Sequence, residues 1–146
     1  MANDRAEEAV GAIPARAVSV RVVRLGSPRL PSEGLRLGTV RRPPRGVRKE
    51  DYSRLDYYDV WMPELAPSGD LVSWALSEPF TDKRWATYEK AYKAQMRIPA
   101  ASRLISLLAA LSHQTDFSIG CYCEDPSRCH RSILRELLDD AGAKIE

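Results

Sequence analysis

Apolar and polar positions alternate over Val18-Ser-Val20-Arg-Val22-Val23, a β-branched run that predicts a first strand. Gly26-Ser-Pro28 and Pro31-Ser-Glu-Gly34 interrupt the pattern, and Leu35-Arg-Leu37-Gly-Thr-Val40 resumes it as a second, short strand. A third candidate, Tyr57-Tyr-Asp59-Val60-Trp61-Met62, ends at Pro63. From Pro67 the period lengthens. Ser68 is placed to cap a helix carrying Leu71, Val72, Trp74 and Ala75, and Thr81-Asp82 opens another with Trp85, Tyr88 and Tyr92 on one face. A third helix begins at Pro99, and its Leu104, Ile105, Leu107, Leu108 and Leu111 form a broad apolar stripe. Phe117 to Cys123 reads as the last strand. Ser127 then serves as N-cap of a final helix that turns Ile133, Leu134, Leu137 and Leu138 inward and stops at Gly142.

Strands separated by helices imply the α/β class: a single small domain with a mostly parallel sheet flanked by helices, ending in a strand–loop–helix unit. Ligands of such sheets bind outside the carboxyl ends of the strands. Residues 1–15, charged, Ala-rich and closed by Pro14, read as a mobile tail, which leaves 16–146 as the domain. The three tryptophans, Tyr88 and Tyr92 are expected in the core.

A length of 146 residues suits one core, and 44% hydrophobic with 29% charged residues excludes wholesale disorder. A net charge of +2 is too small for the whole surface to attract nucleic acid, so anion binding must come from local clustering. The start of the chain is acidic, with no apolar core of leader length. No run approaches the roughly 18 apolar residues of a membrane span. Three cysteines do not make a secreted disulfide scaffold. The expectation is a cytoplasmic protein with reduced thiols and no membrane partner.

All three cysteines fall in Cys121-Tyr-Cys123-Glu-Asp-Pro-Ser-Arg-Cys129, followed by His130 and Arg131. On a strand Cys121 and Cys123 share a face. Cys129, His130 and Arg131 would occupy the first helical turn, where free N–H groups and the dipole depress thiol pKa values and attract anions. Four readings follow. A thiolate at Cys123 or Cys129 could work beside an oxyanion or phosphate held by Arg128 and Arg131. Cys121, Cys123, Cys129 and His130 could instead ligate zinc. The spacing is not the usual pair of knuckles, however, and neighbouring Cys129 and His130 look poorly placed to converge on one ion. A reversible disulfide between Cys129 and Cys121 or Cys123 is the third. In the fourth, the cysteines are small packing residues.

Two further groups add candidates. The segment Arg41-Arg42-Pro-Pro-Arg45-Gly-Val-Arg48-Lys49 holds five basic residues in nine and cannot form a regular helix. Arg42 and Arg45 could contact phosphates, and Arg45 could sit near the cysteine loop across the sheet top. Asp59 and Glu64 flank Trp61 at a strand end, where carboxylates could position a base or a metal.

The Arg45-Gly46 pair, the stretch Asp59-Val60-Trp61-Met62-Pro63-Glu64-Leu65-Ala66-Pro67-Ser68 and the ending Cys-x-Cys-x5-Cys-His-Arg resemble the YeaO-like branch of the bacterial family "domain of unknown function 488". The resemblance runs from about Val18 to the end. It implies a small cytosolic α/β protein and makes the motifs family features. It implies no catalytic roles, because that family has no established activity. The resulting expectation is an anion-binding crevice at the strand ends with cysteine-thiolate chemistry, its ligand phosphate-bearing. The alternative is a non-enzymatic binding module, metal-stapled or nucleic-acid-binding through the 41–49 loop. Substrate, cofactor, oligomeric state and whether the chain is an enzyme stay open at this point.

Overall fold

A computed structural model describes residues 18–146; the tail expected over residues 1–15 lies outside the described residues. Four strands form one fully parallel sheet: β1 (Val20–Arg24), β2 (Leu35–Gly38), β3 (Val60–Trp61) and β4 (Phe117–Cys121), in the order β1-β4-β2-β3. The last strand therefore lies between the first two, with Phe117 opposite both Val20 and Leu35. All five of its residues are buried, as a central parallel strand requires. The short β3 pairs Val60 and Trp61 with Leu37 and Gly38.

Four helices follow from the caps the sequence supplies. In α1 (Gly69–Leu76) the Ser68 hydroxyl accepts the Leu71 N–H, and in α2 (Asp82–Gln95) Thr81 accepts that of Arg84. Pro99 opens α3 (Pro99–Leu111). Helix α4 (His130–Asp140) begins later than the sequence suggests. Cys129, not Ser127, is its N-cap, because Pro126–Arg128 first closes a 3-10 turn in which Asp125 accepts the Ser127 N–H. The preceding strand stops at Cys121 rather than Cys123, since the chain must already bend toward that turn.

The two faces of the sheet differ. Val20, Leu37, Phe117 and Ile119 pack with Tyr88, Tyr92, Ile105, Leu108, Ile133, Leu134 and Leu138 of the helices in the main core. On the other side Gly38 and Gly120 leave room for Tyr58 and Leu25, so irregular segments lie close against the sheet. There Arg36 is fully buried. It bonds both carboxylate oxygens of Glu33 at 2.7 and 3.0 Å and the carbonyls of Ser27 and Asp56 at 2.7 and 2.6 Å. The core expectation holds for Tyr88 and Tyr92 but not for Trp61, which is 43% exposed. A two-residue edge strand cannot cover it, and its indole N–H instead donates to the Val40 carbonyl at 2.8 Å. Trp74 and Trp85 are partly buried, under the guanidiniums of Arg84 and Arg128.

Candidate functional site

The carboxyl end of β4, the loop after it and the start of α4 bring three sulfurs together. The Sγ atoms of Cys121, Cys123 and Cys129 all lie within 4.8 Å of one another. Cys121 and Cys129 are buried, their sulfurs 2.6 Å apart, while Cys123 is exposed. Strand β4 carries Cys121 into the structure. Cys129 arrives beside it because the 3-10 turn reverses the chain and the extended N-cap backbone (φ −133°, ψ 150°) aims its side chain back.

His130 fixes the second sulfur. Its Nε2–H donates to the Thr39 carbonyl at 2.5 Å, which leaves Nδ1 as an acceptor 3.7 Å from Cys129 Sγ. Neighbouring Cys129 and His130 thus approach each other, although the ligand atoms that cluster are the three sulfurs alone. The reason is the N-cap geometry, which sets the two side chains on one side. The Thr39 hydroxyl in turn donates to the Gly120 carbonyl at 2.9 Å, so the end of β2, the end of β4 and the mouth of α4 form one hydrogen-bonded unit. Burial pushes the His130 imidazole down to about 4, with the Thr39 bond opposing. It is therefore neutral at physiological pH.

Arg131 is the cation of the site. It is 4% exposed, and its Nη2 donates to the Cys123 carbonyl at 2.9 Å. Its Nε is buried and has no hydrogen-bond partner among the described residues. The sulfurs share their protons unequally. Hydrogen bonds from Cys121 and Cys129 hold the Cys123 thiol far below its ordinary value, against its desolvation, with positive charge from His130 and Arg131 helping. Because His130 is neutral at pH 7, Arg131 is the lasting charge there. Cys121 is raised first by Cys123 and by burial, with Cys129 opposing, and Cys129 is raised by both neighbouring sulfurs and by burial. The trio thus favours ionisation at Cys123, the one of the three sulfurs that faces solvent.

Tyr122 begins the neighbouring hollow. Arg24, Leu25, Gly26, Ser27, Tyr57 and Tyr122 line about 420 Å³ at the carboxyl ends of β1 and β4. Arg24 crosses it to the Tyr122 carbonyl at 3.2 Å and to Glu124 at 3.4 Å. The Tyr122 hydroxyl donates to the Arg42 carbonyl at 2.9 Å, tying the basic 41–49 loop to the cysteine segment. Tyr58 packs in the same cluster as Cys121 and Cys129, and its hydroxyl is buried without a partner among the described residues.

The remaining candidates lie as follows. Arg42 and Arg45 are exposed. Arg128 turns toward α2, where it meets Asp82 at 2.7 Å and the Trp85 ring. Asp59 is held by Arg29 at 2.6 and 2.9 Å, by the Ser53 hydroxyl and by the Arg36 N–H. Burial raises its carboxyl, but those donors outweigh it and bring it to about 2. Glu64 is exposed in the 3-10 turn Pro63–Leu65. Arg41 donates to the carbonyls of Pro63, Ala66 and Pro67, so that basic residue is a clamp on the Leu-Ala-Pro-Ser segment. Thr39 was not a sequence candidate. Its pairing with a histidine 91 residues later leaves no local signal.

Of the motifs that suggested a family, the cysteine ending builds the sulfur site, and the Leu-Ala-Pro-Ser segment is held apart from it by Arg41. The chain matches the family model described as "Active DUF488-N3 subclade" over residues 20–142. It is also similar to two curated bacterial proteins, uncharacterized protein Rv3073c of Mycobacterium tuberculosis and uncharacterized protein Mb3100c of Mycobacterium bovis. Each is 27% identical over 124 residues, which is 85% of this chain and 97% of the relative. No solved structure matches. The chain belongs to the DUF488-N3a family.

Proposed function

We propose that this protein is a thiol-dependent enzyme in which Cys123 is the nucleophile and the substrate is an electrophile that carries an anionic, phosphate-like group. One observation carries the reading: an exposed sulfur stands within 4.8 Å of two buried thiols, above a buried arginine with a free N–H. Two neighbouring thiols and a guanidinium favour the ionised form of the exposed sulfur, and ionisation is what makes a cysteine nucleophilic. The substrate anion would rest in the Arg24–Tyr57–Tyr122 hollow, outside the carboxyl ends of the strands, where parallel sheets take their ligands. The Cys123 sulfur forms a bond to the electrophilic atom, and the leaving group departs with its electron pair. Cys129 or Cys121 can supply the proton it needs. The description of the family as active accords with an enzyme.

The test is alkylation of the reduced, chelator-treated protein by iodoacetamide at about pH 6.5, two units below an ordinary thiol. Mass spectrometry locates the label. Fast, selective modification of Cys123, with Cys121 and Cys129 spared, is the expected result. Three sites that react no faster than a free thiol would remove the nucleophile.

A further inference from the structure

The three sulfurs have a second use: its metal site stands on their geometry alone, and its masking effect rests on the thiolate reading. We propose that Cys121, Cys123, Cys129 and His130 bind one thiophilic ion such as Zn²⁺, and that the loaded protein is a masked form in which Cys123 is unavailable to substrate. Zinc takes four ligands, and cysteine sulfur with histidine nitrogen is its preferred set. Three of the donors already lie within 4.8 Å of one another, on a rigid frame made by β4 and α4. The fourth stands outside that cluster, beside Cys129, and is oriented as a ligand would be. Nε2–H is spent on the Thr39 carbonyl at 2.5 Å, which frees Nδ1 on the sulfur side. That pattern, one ring nitrogen fixed by a carbonyl and the other presented, is how metal-binding histidines are held.

The distances agree with this assignment. Zn–S and Zn–N bonds of roughly 2.3 and 2.05 Å at a tetrahedral angle put sulfur and nitrogen about 3.6 Å apart. Cys129 Sγ and His130 Nδ1 are 3.7 Å apart. The ion takes the place of the Cys129 thiol proton. Two sulfurs on one zinc stand roughly 3.8 Å apart, so Cys121 and Cys129, now at 2.6 Å, must separate by about 1 Å on loading. Cys123, on the exposed loop, closes over the ion from outside. Charge also balances. Three thiolates and one Zn²⁺ leave one negative charge, and Arg131, 4% exposed beneath the loop, offsets it. Loading releases the protons of the buried thiols to solvent. The ion and an electrophile compete for the same Cys123 lone pair, so occupancy and reactivity exclude each other.

The experiment uses the full chain without a histidine tag, reduced and stripped with chelator. Co²⁺ is titrated first as a spectroscopic probe, then displaced by Zn²⁺. The expected result is one ion per chain, a sulfur-to-cobalt charge-transfer band with the visible spectrum of tetrahedral cobalt, and loss of Cys123 alkylation when zinc is added. Cys123→Ser, exposed and therefore safe for folding, should weaken zinc by more than about 100-fold. That exceeds what loss of an outer-shell partner costs. His130→Gln, which keeps a donor for Thr39 and removes the Nδ1 ligand, should weaken it by about tenfold or more. Cobalt that stays octahedral with no charge-transfer band overturns the proposal, and so does wild-type zinc affinity in either variant. The two readings fail separately. Slow alkylation of the stripped protein defeats the nucleophile alone, and a silent cobalt titration defeats the metal site alone.

Discussion

Replacing Arg36 by Met should unfold this protein more readily than any exposed substitution, and the size of the effect can be worked from its contacts. Arg36 and Glu33 have side chains 0% and 2% exposed, joined by two hydrogen bonds. The guanidinium also satisfies the Ser27 and Asp56 carbonyls, and Glu33 accepts from Ser118 and from the Leu30 N–H. Methionine restores the volume but leaves Glu33 as an uncompensated buried charge, which costs about 3–5 kcal/mol. With an unfolding entropy of roughly 2.1 cal/mol/K per residue, a chain of this length should lose about 13 °C in Tm for 4 kcal/mol. The pH dependence adds a second check. In the wild type, burial raises the Glu33 carboxyl, but the bonds from Arg36, Ser118 and Leu30 outweigh it and hold it below the ordinary range. Its contribution is therefore present above the unfolded value near 4.3 and is lost as pH falls through the lower folded value. In the variant the lone carboxyl prefers to be protonated, so acid relieves it. The stability gap between the two proteins should narrow from neutral pH toward about 4. Urea unfolding at a series of pH values measures this. A loss under about 1 kcal/mol, or a gap that does not change with pH, would refute the idea that the pair is a buried ionic clamp.

Two further outcomes follow from the fold. His130 is neutral in the folded protein, at about 4 against an unfolded value near 6.5. The unfolded chain therefore gains a proton first, and stability present above about pH 6.5 should fall by up to roughly 3 kcal/mol toward pH 4. His130→Gln keeps a donor for Thr39 and should flatten that slope in urea titrations; parallel curves would show that the imidazole is not the cause. At Gly34, with φ +76°, a Cβ would stand 2.1 Å from the Asp116 carbonyl oxygen. Gly34→Ala should cost more than about 2 kcal/mol by thermal unfolding, while Gly46→Ala, at φ +70° in open space, should cost only about 1. Equal losses would mean that the conformation alone, and not the contact, sets the requirement for glycine.

Much of this architecture was legible because the helices announce themselves. Ser68, Thr81 and Pro99 open the helices they were expected to open, and the apolar spacing behind them names most of the core. The same holds for β4, whose unbroken burial follows from its place between β1 and β2. The misreadings cluster where tertiary contacts override local pattern. Leu107 belongs to the apolar stripe of α3 yet is 54% exposed, and Trp61 has the composition of a core residue on an edge too short to bury it. In the site, the cysteines and Arg131 were visible as a cluster, since a strand–turn–helix unit keeps them local. What could not be read was the long-range wiring. Thr39 meets His130 across 91 residues, and Arg128 finds Asp82 rather than the sulfurs only because α2 passes that corner. The Glu33–Arg36 pair lies three residues apart, but nothing in its spacing marks it as buried rather than solvated.

The Thr39–His130–Cys129 chain joins chemistry to architecture. Those bonds fasten the first turn of α4 to the ends of two strands, and a sulfur sits at the far end of them. A bulky adduct or an over-oxidised Cys129 has no room in that buried corner, so the damage would pry the helix from the sheet instead of merely silencing a nucleophile. A copy poisoned at that sulfur would announce itself as a loosened chain, ready for proteolysis, while injury at the outer Cys123 would pass unnoticed by the fold.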